Sequence, residues 1–429
     1  MSIKKTLVGN RSALFKDSFW ALFGNVVGKG LSLVSGILVA RFLGSELYGE
    51  YGIVKTTLIY LEIFSTFGLG YTATKFIAEF KEAKPMYARA VYQSTVFVTF
   101  IFSGIISFLL YLFAKDVSVF IKAPHLYDIL KYSAIGILFN AVNVAQIGVM
   151  SGYGLFRDIA KNTIWAGVFT FIVTVMFTYW WSLNGAIFAL ILSFAFQCVL
   201  NQLVLNRFYK NFESDEKFSF SVIGKLLKFS LPIALQESLY SITNWTTSYL
   251  LIKYAGYKEL GFYAATSQWT AIVGFIPGVL RNVALSHLSQ TANSLKEHND
   301  KVKKLLAVNF VATFIPFLIV IALSSWICSW YGESFQSMQL LLVLSVFIAI
   351  ILSLTNVYTQ ELISSSKTWF LFSSRLIRDV LYVLFSFVSL VTFSYSGSIM
   401  VCMSAIITQL LYLFLLIFYY YNHSKLECK

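Results

Sequence analysis

The 429 residues are 58% hydrophobic, 17% aromatic and 12% charged, with a mean hydropathy of +0.72 and a net charge of +13. An ordinary soluble domain is about 45–50% apolar, so this composition excludes a soluble protein and requires long stretches of chain to face lipid. The aromatic content excludes disorder. Four cysteines (Cys198, Cys328, Cys402, Cys428) form no CxxC pair, which argues against a disulfide scaffold or a metal site.

In chain order, a basic leader with Lys4, Lys5, Arg11 and Lys16 precedes an apolar run from Phe19 to about Leu43, too long for a signal-peptide core. Further runs follow at about 52–70, 90–114, 130–151, 163–182, 185–206, 229–252, 262–280, 305–328, 338–358, 371–394 and 397–420. They are helix-length and lack the alternation of a membrane barrel, so an all-α integral membrane protein of about twelve spans is expected. With the N-terminus in the cytosol, 24 basic residues fall on inner flanks and six on outer ones: Arg41, Lys115, Lys122, Lys131, Lys253 and Lys258. That asymmetry predicts an even span count with both termini inside, and it makes the positive charge an orientation signal rather than a nucleic-acid footprint.

Arg41-Phe42-x-Gly44-x4-Gly49-x-Tyr51 recurs as Lys253-Tyr254-x-Gly256-x4-Gly261-x-Tyr263 at an offset of 212, which also carries Gly185, expected at a turn between spans, onto Gly397. A shift of half the chain predicts two six-helix lobes, 1–212 and 213–429, related by a pseudo-two-fold axis along the membrane normal. The polar stretch from about Tyr209 to Ser221 reads as the cytosolic tether between them.

Asn25-Val26-Val27-Gly28-Lys29, the string Leu38-Val39-Ala40-Arg41-Phe42-Leu43-Gly44-Ser45-Glu46-Leu47-Tyr48-Gly49 and Phe67-Gly68-Leu69-Gly70 resemble the Wzx-type polysaccharide flippases of the multidrug/oligosaccharidyl-lipid/polysaccharide (MOP) exporter superfamily. The resemblance implies two bundles in a V around a central cavity, in a bacterial inner membrane. It also implies export of undecaprenyl-diphosphate-linked oligosaccharide for O-antigen, capsule or exopolysaccharide, alongside other polysaccharide-assembly membrane proteins.

An ionisable residue inside a span is costly and generally faces a bundle interior or an aqueous cavity. Lys29 shares a helical stripe with Asn25, Ser32 and Gly36, as a diphosphate ligand or as the partner of a carboxylate. Lys55 and Glu62 share a face of the second run. Lys55 is shallow enough to snorkel; Glu62 would pair with Lys29 or couple transport to a proton or sodium gradient. The seventh run repeats the stripe as Glu237, Ser241, Asn244 and Ser248, with Pro232 predicting a kink or a locally freed carbonyl and Trp245 available to stack on a sugar or to pack.

Arg281, beyond Pro277-Gly278, either receives a phosphate or marks the inner boundary. In the eleventh run, Arg375 and Asp379 at i,i+4 are expected to pair, leaving Arg378 for an anion. Asn140, Asn143, Gln146 and Asn356 offer hydrogen bonds to sugars, or more commonly between helices. No Walker loop, GxSxG or HExxH occurs, the four histidines make no ligand pattern, and no cofactor is expected. A cation-coupled multidrug antiporter of the same fold, using Glu62, Glu237 and Asp379, is the alternative. A membrane polymerase would need a large outer loop that the chain lacks.

Overall fold

The computed structural model describes residues 2–209, 220–275, 277–278, 295–365, 367–393 and 395–426. Every regular element among them is helical: α1 Ser2–Thr66, α2 Leu69–Phe80, α3 Pro85–Phe120, α4 Tyr127–Tyr153, α5 Phe156–Tyr209, α6 Phe220–Ala255, α7 Tyr257–Val273, α8 Leu295–Tyr331, α9 Gln339–Ser364, α10 Thr368–Thr392 and α11 Gly397–Leu426. The twelve apolar runs fall on ten of these eleven helices, because α1 and α5 each contain two runs and the short α2 has none of its own; the end of the eighth run lies outside the described residues. The interruption in α1 is Gly44, at φ 73° and ψ 172°, and that in α5 is Ser182, at φ 52° and ψ −132°.

Seven stretches among the described residues are long and apolar enough to cross a bilayer. Side-chain placement is inverted relative to a soluble bundle. On α3 the hydroxyls of Ser94, Thr95 and Thr99 are buried, whereas Phe97, Phe100 and Phe108 are about half exposed. Outward-facing aromatics are stable only against lipid, and small inward residues let helices approach.

Contacts divide the chain into two compact units, Met1–Phe42 with Val54–Ile242, and Leu43–Ile53 with Thr243–Lys429. In the first, α2, α3, α4, α5 and α6 enclose a core built on Leu69, Ile77, Val91, Met150, Leu205 and Leu226. In the second, Val302, Val357, Leu362, Leu371, Tyr412 and Leu416 form a core among α8, α9, α10 and α11.

The duplicated motif has a local explanation within the second unit. Gly44 and Gly256 share one backbone conformation, Gly256 lying at φ 87° and ψ 176°, a region that only glycine occupies cheaply. Five residues on, a Cβ on Gly49 would stand 2.0 Å from the carbonyl oxygen of Tyr257, and one on Gly261 would stand 2.0 Å from that of Ser45. Ser45 and Tyr257 are themselves 212 apart. The two motif copies therefore cross backbone to backbone and reciprocally, as two elements related by a two-fold axis must. Tyr48 and Gln268 hydrogen-bond beside the crossing, and the Ser334 hydroxyl lies 3.2 Å from the Ser45 amide and accepts from it.

Two expectations are corrected. The turn between the fifth and sixth runs is at Ser182; Gly185 lies three residues into the following helix, where a Cβ would meet the Phe177 carbonyl oxygen at 1.9 Å. Glycine there serves a close approach rather than a turn. The second run ends at Thr66, and Phe67 and Gly68, both with positive φ, redirect the chain into α2, so that Gly70 is helical. Pro232 lies in the interior of α6, where its missing N–H frees a carbonyl one turn earlier, as the sequence led one to expect.

Candidate functional site

The first unit positions Lys29 through glycines on the adjacent face of α1. A Cβ on Gly24 would lie 2.8 Å from Ala160, one on Gly28 would lie 2.9 Å from the Thr163 methyl, and Gly167 packs on Leu31 and Gly28. This seam fixes the beginning of α1 against the beginning of α5 and turns Lys29 and Ser32, both exposed, away from it; a Cβ on Gly30 would touch nothing within 4 Å. A cation thus stands on an unpacked face of an apolar helix. Asn25 belongs to the same stripe, but its side chain lies outside the described residues, as does all of Arg281. Lys55 is exposed.

Glu62 is 7% exposed, and its Oε2 accepts from the Asn140 amide at 3.1 Å. Glu237, half-buried on α6, is close enough to act on Glu62 through space. Beyond Asn140, the polar positions of α4 continue into two interhelical chains. Asn162 donates to Asn201 at 2.8 Å, which donates to Asn143 at 2.7 Å. Gln146 donates to Gln202 at 2.9 Å, which in turn donates to Tyr92 and Asn206. Asn143 and Gln146 are therefore occupied in joining α4 to α5, the commoner of the two uses expected for them.

In the second unit, Asn244 is half-buried and Trp245 stacks on Tyr249, with ring planes 1° apart and centroids at 5.8 Å. The amide of Asn356 reaches the Pro277 carbonyl at 3.4 Å. The α10 cluster departs from the expected pairing. It is Arg378, not Arg375, that pairs with Asp379: Nε donates to Oδ1 at 2.9 Å and Nη2 donates to the same oxygen. The Arg378 Nη1 reaches Gln409 Oε1 on α11 at 3.3 Å, and its guanidinium lies 5.1 Å from the centre of the Tyr412 ring. Gln409 is held in turn by donation to Thr355 of α9 at 3.0 Å. The i,i+4 rule ranks only neighbours on one helix. Here an acceptor and a ring on another helix draw the longer arginine across, and Asp379 follows it.

Gln409 and Thr355 were not singled out from the sequence, nor were Asn162, Asn201 and Gln202, nor the buried carboxylates Glu50 and Glu361. An acidic residue inside an apolar helix was the available signal for the last two. Isolated amides in apolar runs gave none, because their partners lie on other helices. Among the described residues, no group of three or more His, Cys, Asp or Glu side chains is placed to hold a metal ion.

These features define a multi-pass, all-α membrane protein with charged and amide side chains held inside its helical units. Solved transporters share that fold. An inward-facing multidrug-resistance MATE transporter matches with a TM-score of 0.75 at 14% identity, covering 94% of this chain and 99% of its own. A Vibrio cholerae MATE transporter matches at 0.65 and 14% identity, covering 96% and 97%. A Pyrococcus furiosus MOP-superfamily transporter matches at 0.64 and 14% identity, covering 97% and 96%.

The chain belongs to the polysaccharide biosynthesis protein family, whose model matches residues 14–290. A candidate O-antigen transporter of Shigella flexneri is 24% identical over 415 residues, covering 93% of this chain and 98% of its own. The likeness to Wzx-type proteins of the MOP superfamily, first carried by short N-terminal motifs, thus extends over nearly the whole chain.

Proposed function

We propose that the protein is a flippase that moves undecaprenyl-diphosphate-linked oligosaccharide from the cytosolic to the outer leaflet of a bacterial inner membrane by alternating access of halves 1–212 and 213–429. Both termini are cytosolic in this reading. The observation that carries it is the exposed Lys29 within an apolar helix, in a chain of the polysaccharide biosynthesis family. An ionisable residue inside an apolar helix costs about 2.5–3.5 kcal/mol on insertion scales, and such residues commonly mark substrate pathways.

In this account Lys29 in the first unit and Arg378 in the second are each a candidate ligand of the diphosphate, as a point charge and a fork respectively. Asn25, Lys55, Arg281, Asn244 and Trp245 are the further candidate ligands of diphosphate or sugar. Glu62 and Glu237 couple the cycle to a cation gradient, a role supported by their proximity within one unit. That same proximity favours the second reading, a cation-coupled antiporter for cationic compounds, over any enzymatic one.

The test is deletion in the native host, followed by fractionation of lipid-linked sugars and a blot for surface polysaccharide. The flippase reading expects lost surface polymer and single repeat units accumulating on the carrier lipid at the cytosolic leaflet. Unchanged polymer in a strain lacking other flippases, together with raised sensitivity to cationic dyes, would establish the antiporter instead.

A further inference from the structure

The Arg378–Asp379 pair has an asymmetry that a purely structural ion pair has no need of. Arginine and carboxylate usually meet fork to fork, each oxygen taking one N–H. Here both Nε and Nη2 donate to Oδ1, while Oδ2 is buried without a hydrogen-bond partner, on a side chain only 7% exposed. A buried carboxylate oxygen left unsatisfied is expensive, and native structures seldom keep one without a use.

The guanidinium is meanwhile held by groups with no negative charge. Gln409 accepts from Nη1, Thr355 anchors Gln409, and the Tyr412 ring lies under the cation. These contacts would keep Arg378 in place if Asp379 let go.

We infer that Asp379 is an internal competitor for the substrate's phosphate. It neutralises Arg378 while the protein is empty, and it yields the guanidinium when a diphosphate arrives by taking a proton from solvent onto Oδ2. In that step the carboxylate becomes a carboxylic acid, Arg378 keeps its charge, and its Nε–H and Nη2–H turn to phosphate oxygens. When the diphosphate leaves, the proton returns to solvent and Asp379 recaptures Arg378. A buried cation then never stands unneutralised in either state, which avoids the large cost of a lone charge in the membrane interior. Among the described residues, the titratable and charged neighbours are Arg375 and Tyr382 on the same face of α10 and Tyr412 on α11. The α9 helix presents the uncharged Thr355, with Glu361 six residues further along. The inference rests on the reading of Arg378 as a diphosphate ligand, and its test separates the two.

The test is binding of inorganic pyrophosphate to the detergent-purified full chain, measured by calorimetry. Arg378→Lys, which keeps the charge and loses the fork, is expected to weaken binding about tenfold, and Asp379→Asn, which removes the competitor, to tighten it about tenfold, within the range of ordinary site-to-site coupling. Pyrophosphate that binds wild type and Arg378→Lys equally, or not at all, would overturn the diphosphate reading and the competitor with it. Weakening by Arg378→Lys without tightening by Asp379→Asn would overturn the competitor alone. Should Asp379→Asn fail to accumulate, wild-type protein titrated with sulfate in buffers of different ionisation enthalpy decides. Sulfate takes up no proton at neutral pH, so net uptake on binding is expected from Asp379, and binding without uptake overturns the inference.

Discussion

The two copies of the internal repeat were treated differently along their length, and the difference separates packing from chemistry. At positions 49 and 261 both copies are glycine, and each lies against the other copy's backbone carbonyl. At positions 29 and 241, also 212 apart, one copy has an exposed lysine and the other a buried serine. A residue on the crossing has its size fixed by its own symmetry mate, so neither copy is free to change alone. A residue away from the crossing meets different surroundings in each copy and is free to acquire a charge. Identity between the copies therefore marks the structural seam, and divergence marks the candidate site.

That contrast can be broken or sharpened by substitution. The largest effect is expected at a diverged position: Arg378→Ala strands the Asp379 carboxylate and should cost about 3–5 kcal/mol, seen as a lowered unfolding midpoint in detergent, with Asp379→Asn added to it recovering much of the loss. Next come Gly49→Ala and Gly261→Ala, each of which drives a methyl into a carbonyl oxygen. An overpacking cost of about 1–3 kcal/mol is expected for either, with the double variant costing less than the sum because one separation of the helices relieves both clashes. Unequal single costs would argue against the reciprocal crossing.

Asn201→Leu removes the middle amide between Asn162 and Asn143 and should cost about 0.6–1.7 kcal/mol, the range of interhelical hydrogen bonds in membranes. Last, Gly104→Ala on α3, where a Cβ would meet nothing within 4 Å, should be neutral or gain up to about 1 kcal/mol from helix propensity. If it destabilised as much as Gly49→Ala, glycine at the crossing would need no special explanation.

Much of the fold was legible in the sequence because the membrane makes simple demands. Apolar length gave the helices, and an offset of 212 gave the repeat of Gly44 and Gly49 as Gly256 and Gly261; that the two copies cross backbone to backbone was not legible, because an offset names matching positions and not their contacts. The turn at Ser182 was not legible, since serine carries no signal for positive φ and the nearby Gly185 drew attention to itself for a different reason. The candidate site was legible as single residues but not as pairs. Lys29, Glu62, Arg378 and Asp379 stand out as charges in apolar runs, whereas Asn140 on Glu62, Gln409 on Arg378 and Thr355 behind Gln409 are neutral and come from other helices. Helical periodicity orders residues around one axis only, so it offered Arg375 for Asp379 when the fold supplied Arg378.

The central claim is that the cation in the diverged stripe of α1 acts on substrate rather than on stability. The most direct measurement is surface polysaccharide in a strain whose chromosomal copy is replaced by Lys29→Ala, matched for membrane level and for unfolding midpoint. Surface polymer is expected to be lost while lipid-linked repeat units accumulate in the cytosolic leaflet. Wild-type polymer with no accumulation would contradict it.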